Sequence, residues 1–291
     1  LDHINSQNVV LTGRFGAGVR CHSAWCAEWR GLKACANSIL GWRLDNGQGK
    51  RSYYWYVNYV TTDNVRLYPN NQLGWGVYVP YSLSLTVVNK AIGGRSSRSF
   101  TREGRFDEII KAVQANDIVI IEFGHNDGGS LSTDNGRSVC GGAGSETCKT
   151  TYNGVAETVH TFPWYLTEAG KAIIAKGGKV IMSSQTPNNP WEGGTFSYTD
   201  GGRFVGYAKD VAKALGSNAM YVDHGAYTAN YFKSIGKAAT DKLFPQDHTH
   251  TSPAGADLVA KTFVKGLQCG GGGFLKGFVK NTTETIPGTC L

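Results

Sequence analysis

The sequence predicts an α/β fold in which helices cover both faces of a parallel sheet, and three observations carry that prediction. Strand-like and helix-like segments alternate about five times along the chain. One strand candidate, Ile118-Val119-Ile120-Ile121-Glu122-Phe123, is an almost unbroken apolar run, as suits a central parallel strand covered on both faces. The residues with chemistry to offer fall at or near the ends of these strands, the edge at which parallel sheets gather their sites.

Taken in order, Val9-Val10-Leu11-Thr12 reads as a short buried strand ending at Gly13. Residues 14–60 do not read like the rest. They sustain neither the helical nor the strand period, and they hold Cys21, Cys26 and Cys35 and four of the seven tryptophans, Trp25, Trp29, Trp42 and Trp55. A connection of that length without clear elements is rare inside a compact domain. Order resumes near Thr61. Gly74-Trp75-Gly76 precedes a helix through Leu83, and Thr86-Val87-Val88-Asn89 is a strand. The loop 91–97 follows, with Gly93 and Gly94 able to bring backbone N–H groups close to a ligand. Thr101 is the expected cap of a helix burying Phe106, Ile109, Ile110 and Val113. After the Ile118 strand comes Gly124-His125-Asn126-Asp127, then a long loop to Thr150. A helix over 152–176, kinked at Pro163, is expected next, then the strand 179–183. A Pro-rich loop over 184–202, a helix over 203–215, the strand 220–223 and one more helix complete the alternation. In that loop Trp191 and Asn188 offer an aromatic face and an amide that suit a sugar-binding rim, as they equally suit an ordinary loop.

The final turn is Asp247-His248-Thr249-His250, followed by Ser252 as N-cap and Pro253 at the first helical position. Leu258, Val259, Thr262 and Phe263 then recur at helical spacing. A tight turn folds the Asp247 carboxylate back onto one ring nitrogen of His250, which fixes the tautomer and makes the other nitrogen a general base. By itself such a spacing is most often a polar surface turn.

Composition bounds the rest. The chain has 291 residues, 41% of them hydrophobic, enough to bury the core of one α/β domain. We read 1–291 as a single domain with an anomalous inserted stretch at about 14–60. No apolar run approaches a membrane span, so no membrane partner is expected. The sequence opens at Leu1 without Met, which fits removal of a leader. The formal charge is +7, but seven basic residues against Glu28 and Asp45 place five of those charges within 14–60. No basic stripe on a recognisable module accompanies them, so no nucleic-acid partner is expected. The seven cysteines are an odd number. Cys140 with Cys148, around a Gly-rich loop, and Cys269 with Cys290, across the C-terminal tail, look like the staples of a secreted protein. Asn281-Thr282-Thr283 is an N-glycosylation acceptor motif.

Acyl transfer from an ester needs a nucleophile, a base oriented by a carboxylate, and donors for the oxyanion. Asp247 and His250 supply the base pair, Gly94 a backbone N–H and Asn126 an amide N–H. Here the chain resembles the SGNH hydrolases, and within them the fungal rhamnogalacturonan acetylesterases. The resemblance runs from about residue 74 to the end, with the short strand before Gly13 as well. It rests on Gly94-Arg95-Ser96-Ser97-Arg98-Ser99, Thr101-Arg102-Glu103-Gly104-Arg105-Phe106, Glu122-Phe123-Gly124-His125-Asn126-Asp127-Gly128-Gly129-Ser130, the stretch 184–191 and the stretch 247–255. It implies a flavodoxin-like three-layer α/β/α sandwich on a five-stranded parallel sheet, secretion, and removal of acetyl groups from the rhamnogalacturonan backbone of pectin. It also implies Gly94 and Asn126 as oxyanion donors, Asp247 as orienter, His250 as base, and the two cysteine pairs as disulfides. No metal and no organic cofactor are implied, the partner is acetylated pectic polysaccharide, and a monomer is expected.

One piece of the family pattern is absent. A Gly-Asp-Ser block carrying the nucleophile should follow the first strand, yet Gly13 is followed by Arg14 and Phe15, and Thr61 is preceded by Asn58, Tyr59 and Val60. Three accounts stand. Residues 14–60 are translated non-coding sequence, such as a retained intron splitting the block; or the chain is an inactive relative that binds pectin; or a hydroxyl such as Ser23 or Ser52 replaces the serine. The last demands a positional tolerance that an insertion is poorly built to hold. Readings of two other classes stand beside these. Cys21, His22, Cys26 and Cys35 as zinc ligands lack a paired C-x-x-C; a lectin-like module is the stronger rival. His125 and His248 read as structural or surface residues. Arg95, Arg98 and Arg102 read equally as galacturonate contacts or solvated charge.

Overall fold

The structure, a computed structural model, describes residues 74–199, 201–280 and 286–291 throughout and, before them, the backbone of four strands. The chain divides into two compact units, Leu1–Lys50 and Arg51–Leu291. In the first, β1 (Cys26–Trp29), β2 (Leu32–Cys35) and β3 (Arg43–Asp45) form an antiparallel sheet in that order.

The second unit begins with β4 (Tyr53–Val57), α1 (Val79–Ser82), β5 (Thr86–Asn89), α2 (Ser97–Arg102), α3 (Arg105–Ala112) and β6 (Ile118–Glu122). It continues through β7 (Thr147–Tyr152), β8 (Val155–His160), α4 (Phe162–Ala175), β9 (Lys179–Ser183) and α5 (Arg203–Ala214). It closes with β10 (Ala219–Val222), α6 (His224–Ile235), α7 (Lys237–Asp241) and α8 (Pro253–Cys269). The sheet order is β10-β9-β6-β4-β5, and each neighbouring pair is parallel.

Strand β6 shows why the sheet is covered on both sides. All five of its residues are buried, and the two-residue period sends alternate side chains to opposite faces. Ile118 and Ile120 join Ile181 and Val222 in one core with Phe232 of α6 and Val259, Phe263 and Leu267 of α8. Val119 and Ile121 join Val180 and Met182 in the other, with Phe106 and Ile109 of α3, Leu166 and Ile173 of α4, and Val211 of α5. The polar end of β6 is satisfied inside the first layer. Glu122 accepts from Trp75 Nε1 at 3.1 Å and Ser183 Oγ at 2.6 Å and meets His224 Nδ1 at 2.8 Å.

Three expectations need correction. The slot between β5 and β6 is filled by Tyr53–Val57, inside the stretch read as lacking elements. Tyr-Tyr-Trp-Tyr-Val is a dense run of aromatic and β-branched residues, which fit a pleated, covered surface. Val9–Thr12, Ser23, Ser52, residues 58–73 and Asn281 lie outside the described residues. The helix expected from 152 begins only at Phe162; before it stands the β7–β8 hairpin. Asn153 and Gly154 take positive φ values of 50° and 77°, the two-residue turn whose twist matches paired strands. Pro163 lies in the first turn of α4, where a missing N–H costs nothing, so it starts the helix rather than kinking it. Finally, Thr101 caps nothing. Its hydroxyl bonds Ser97 O within α2, and α3 starts after Gly104.

Both cysteine pairs are closed as disulfides. Cys140–Cys148 fastens the loop that enters β7, and Cys269–Cys290 joins the end of α8 to the tail, whose Ile286 is buried in the first core.

Candidate active site

Because the strands are parallel, the loops leaving β5, β6, β9 and β10 emerge at one edge. The 247–250 turn reaches the loop that follows β9 through contacts of its own. Asp247 Oδ1 accepts the backbone N–H groups of Thr249 and His250 at 2.8 and 2.7 Å. Those bonds fold the carboxylate back so that Oδ2 meets His250 Nδ1 at 2.8 Å. A carboxylate can only accept when ionised, so Nδ1 carries the proton and Nε2 is the basic nitrogen. Burial resists ionisation of Asp247, but the His250 N–H, the His250 ring and the Thr249 N–H outweigh it and hold the carboxyl below its usual range. Two residues on, Ser252 Oγ accepts from Gly255 N at 3.2 Å and starts α8.

The loop after β9 grips this turn. Asn189 N donates to His248 O at 2.6 Å, Thr249 Oγ1 to Asn188 Oδ1 at 3.0 Å, and His248 Nδ1 meets Glu192 Oε1 at 2.8 Å. Trp191 is fixed beside them: its indole N–H donates to Phe232 O at 3.0 Å and its ring meets Phe196 edge-on at 5.3 Å. Asn188 is exposed and Trp191 half-buried.

The exit of β6 supplies the opposite wall. Gly124 takes a φ of 146°, a backbone conformation that L side chains rarely adopt, and a Cβ there would also press on the Gln185 side chain. The His125 ring bonds the Thr186 backbone; burial, with His250 and His248 nearby, holds it below the usual imidazole range. Asn126 Nδ2 donates to Arg95 O at 3.3 Å, next to Gly94, whose φ is 73°. Its Oδ1 accepts from Arg137 Nη1 at 2.8 Å. Asp127, 1% exposed, accepts from Ser97 N at 2.8 Å and Ser97 Oγ at 2.5 Å. Burial pushes its carboxyl up to about 7, against those bonds.

Contacts thus link Arg95 to Asn126, and link the neighbouring His125 ring through the Thr186 backbone to the loop that grips the Asp247–His250 turn. Arg98 is buried, Arg95 half-buried and Arg102 exposed, and each has a carboxylate partner. Arg95 pairs with Glu103, Arg98 with Asp134 and Glu157, and Arg102 with Glu157. Reading the sequence missed Arg137, Asp127 and Ser97. Asp127 and Ser97 lie inside quoted motifs, but their pairing spans thirty residues, and Arg137 stands in a loop with no periodicity to mark it. Among the described residues no group of three or more His, Cys, Asp and Glu could hold a metal ion, and no helix is long and apolar enough to cross a membrane.

The fold is that of an α/β protein with a carboxylate–imidazole pair joined to the carboxyl edge of a parallel sheet. Residues 60–263 match the family model described as GDSL-like Lipase/Acylhydrolase, and the chain belongs to that family. It is 57% identical over 198 residues to the rhamnogalacturonan acetylesterase of Emericella nidulans, covering 68% of this chain and 80% of that protein. It is 25% identical over 214 residues to the rhamnogalacturonan acetylesterase RhgT of Bacillus subtilis, covering 67% and 80%. The crystal structure of the Bacillus subtilis protein YxiM superposes with a TM-score of 0.59 at 20% identity, over 82% of this chain and 65% of that one.

Proposed function

We propose that this chain is a secreted, monomeric carbohydrate esterase of the SGNH hydrolase fold, flavodoxin-like on five parallel strands, that removes acetyl groups from the rhamnogalacturonan backbone of pectin. The observation that carries this reading is the Asp247–His250 pair, tied into the loop that holds Asn188, a loop that itself bonds the His125 ring beside Asn126. The 57% identity to a rhamnogalacturonan acetylesterase supports the substrate. In this reading His250 Nε2 takes the proton of the attacking hydroxyl, and Asp247 holds the ring and stabilises the imidazolium that forms. Asn126 Nδ2 and the Gly94 N–H receive the oxyanion. Trp191 and Asn188 line the sugar path beside the base. Two disulfides suit an oxidising, extracellular setting.

A second reading follows from one observation: no Gly-Asp-Ser block occurs anywhere in the sequence. A chain with base and oxyanion donors but no nucleophile would bind acetylated rhamnogalacturonan and leave it intact. Acetate release from acetylated rhamnogalacturonan separates the two. Release abolished by His250→Ala, with a fluorophosphonate adduct mapped to a single hydroxyl, is the expected result for the esterase. Binding without release and without an adduct leaves only the inactive form.

A further inference from the structure

Among the described residues Arg137 differs from the other arginines in what it touches. Arg95, Arg98, Arg102 and Arg105 each pair with a carboxylate, and Arg203, exposed, lies over the Phe204 ring. Arg137 is half-buried and has no carboxylate partner among the described residues; its Nη1 donates to the side-chain oxygen of Asn126. A guanidinium held on a neutral amide and still partly open to solvent keeps donors available to an anion.

The position is built rather than incidental. On one side Gly136 N is held by Asp134 Oδ1 at 2.8 Å. On the other, Ser138 Oγ donates to Gly128 O at 3.0 Å, Val139 N to Asp127 O at 3.1 Å, and buried Arg98 to Ser138 O at 2.8 Å. The chain around Arg137 is therefore strapped to the residues that follow Asn126. A guanidinium has five N–H donors, and the amide uses one; a carboxylate accepts two in parallel.

We infer that Arg137 is a specificity residue whose guanidinium, docked on Asn126, anchors the carboxylate of the uronate bearing or adjoining the scissile ester. This rests on the proposed pectic substrate. It adds that the site reads the acid group itself and that a neutral sugar ester lacks the anchor.

Calorimetric binding tests it without requiring turnover. The full chain is titrated with a deacetylated rhamnogalacturonan oligosaccharide and with the same oligosaccharide after its carboxyl groups are reduced to alcohols. We expect the acid form to bind about tenfold or more tightly than the reduced form. Arg137→Gln should erase that difference and leave the reduced form within about twofold, while Arg137→Lys, keeping the charge but not the fork, should fall between. Equal binding of both forms by the unaltered chain overturns the inference and leaves the proposed function standing. Equal weakening of both forms in Arg137→Gln also overturns it, making Arg137 a support for Asn126 alone. Failure of the unaltered chain to bind either form overturns the inference, and acetate release decides the proposed substrate separately.

Discussion

Asp127 has one oxygen bonded twice to Ser97, while Oδ2, equally buried, has no partner. With its carboxyl raised to about 7 from an ordinary 3.8, the folded chain keeps a proton that the unfolded chain has released between those values. Stability therefore falls as pH rises through about 4 to 7 and levels off above. Asp127→Asn should remove that decline, so that its stability relative to the parent improves between pH 4 and pH 8 by up to about 4 kcal/mol; urea titrations at the two pH values read it. Asp247→Asn makes a different test. The amide oxygen can still accept from Thr249 and His250, so the turn should survive, but an amide N–H would now face Nδ1 and move the ring proton to Nε2. Nitrogen NMR of His250 should show the tautomer reversed. The Asp247–His250 pair was legible because both members lie in one short turn before a clear helix start. Arg137 was not, because its meaning depends on a bond to a residue eleven positions away that only the folded loop creates.

The β7–β8 hairpin shows how an element can be misread while its signal is printed in the chain. Thr147-Cys148-Lys149-Thr150-Thr151-Tyr152 alternates between exposed and half-buried residues, and Asn153-Gly154 supplies the turn. The apolar residues of the genuine helix after it extended the wrong period backwards across that turn. Gly154 has open space around its missing Cβ, so only its φ of 77° requires glycine. Gly154→Val should cost about 1–2 kcal/mol through backbone strain alone, measured by urea unfolding. The strands of the five-stranded sheet differ. β6 and β9 were legible because strands buried on both faces must be continuously apolar, and β4 was passed over because its aromatic run lay in a stretch discounted for its charge and cysteines.

At the scale of the molecule, β4 and the Val9–Thr12 run compete as candidates for one slot. The slot between β5 and β6 holds Tyr53–Val57, yet Val9-Val10-Leu11-Thr12 has the composition of a buried parallel strand and ends at the glycine where the nucleophile block should begin. If residues 14–60 are surplus, a chain lacking them, with Gly-Asp-Ser restored at the junction, should seat the Val9 strand in that slot. We expect it to melt cooperatively at or above the midpoint of the full chain and to release acetate from acetylated rhamnogalacturonan. A shortened chain that stays unfolded by circular dichroism would show that Tyr53–Val57 is indispensable and that the stretch belongs to the protein. The family match, which starts at residue 60, leaves the strand before it open to either origin.

The bridge between Cys269 and Cys290 sits at the far end of α8 from His250, with the helix between them spanning about 25 Å. Through it the last residues are drawn back over the core, where Ile286 is 1% exposed. A host that makes the chain in a reducing cytoplasm would leave this clasp undone. Its product would keep the imidazole and its acidic partner in place yet lose its grip on the tail, and so would tolerate heat and carboxypeptidases less well than material exported through an oxidising route.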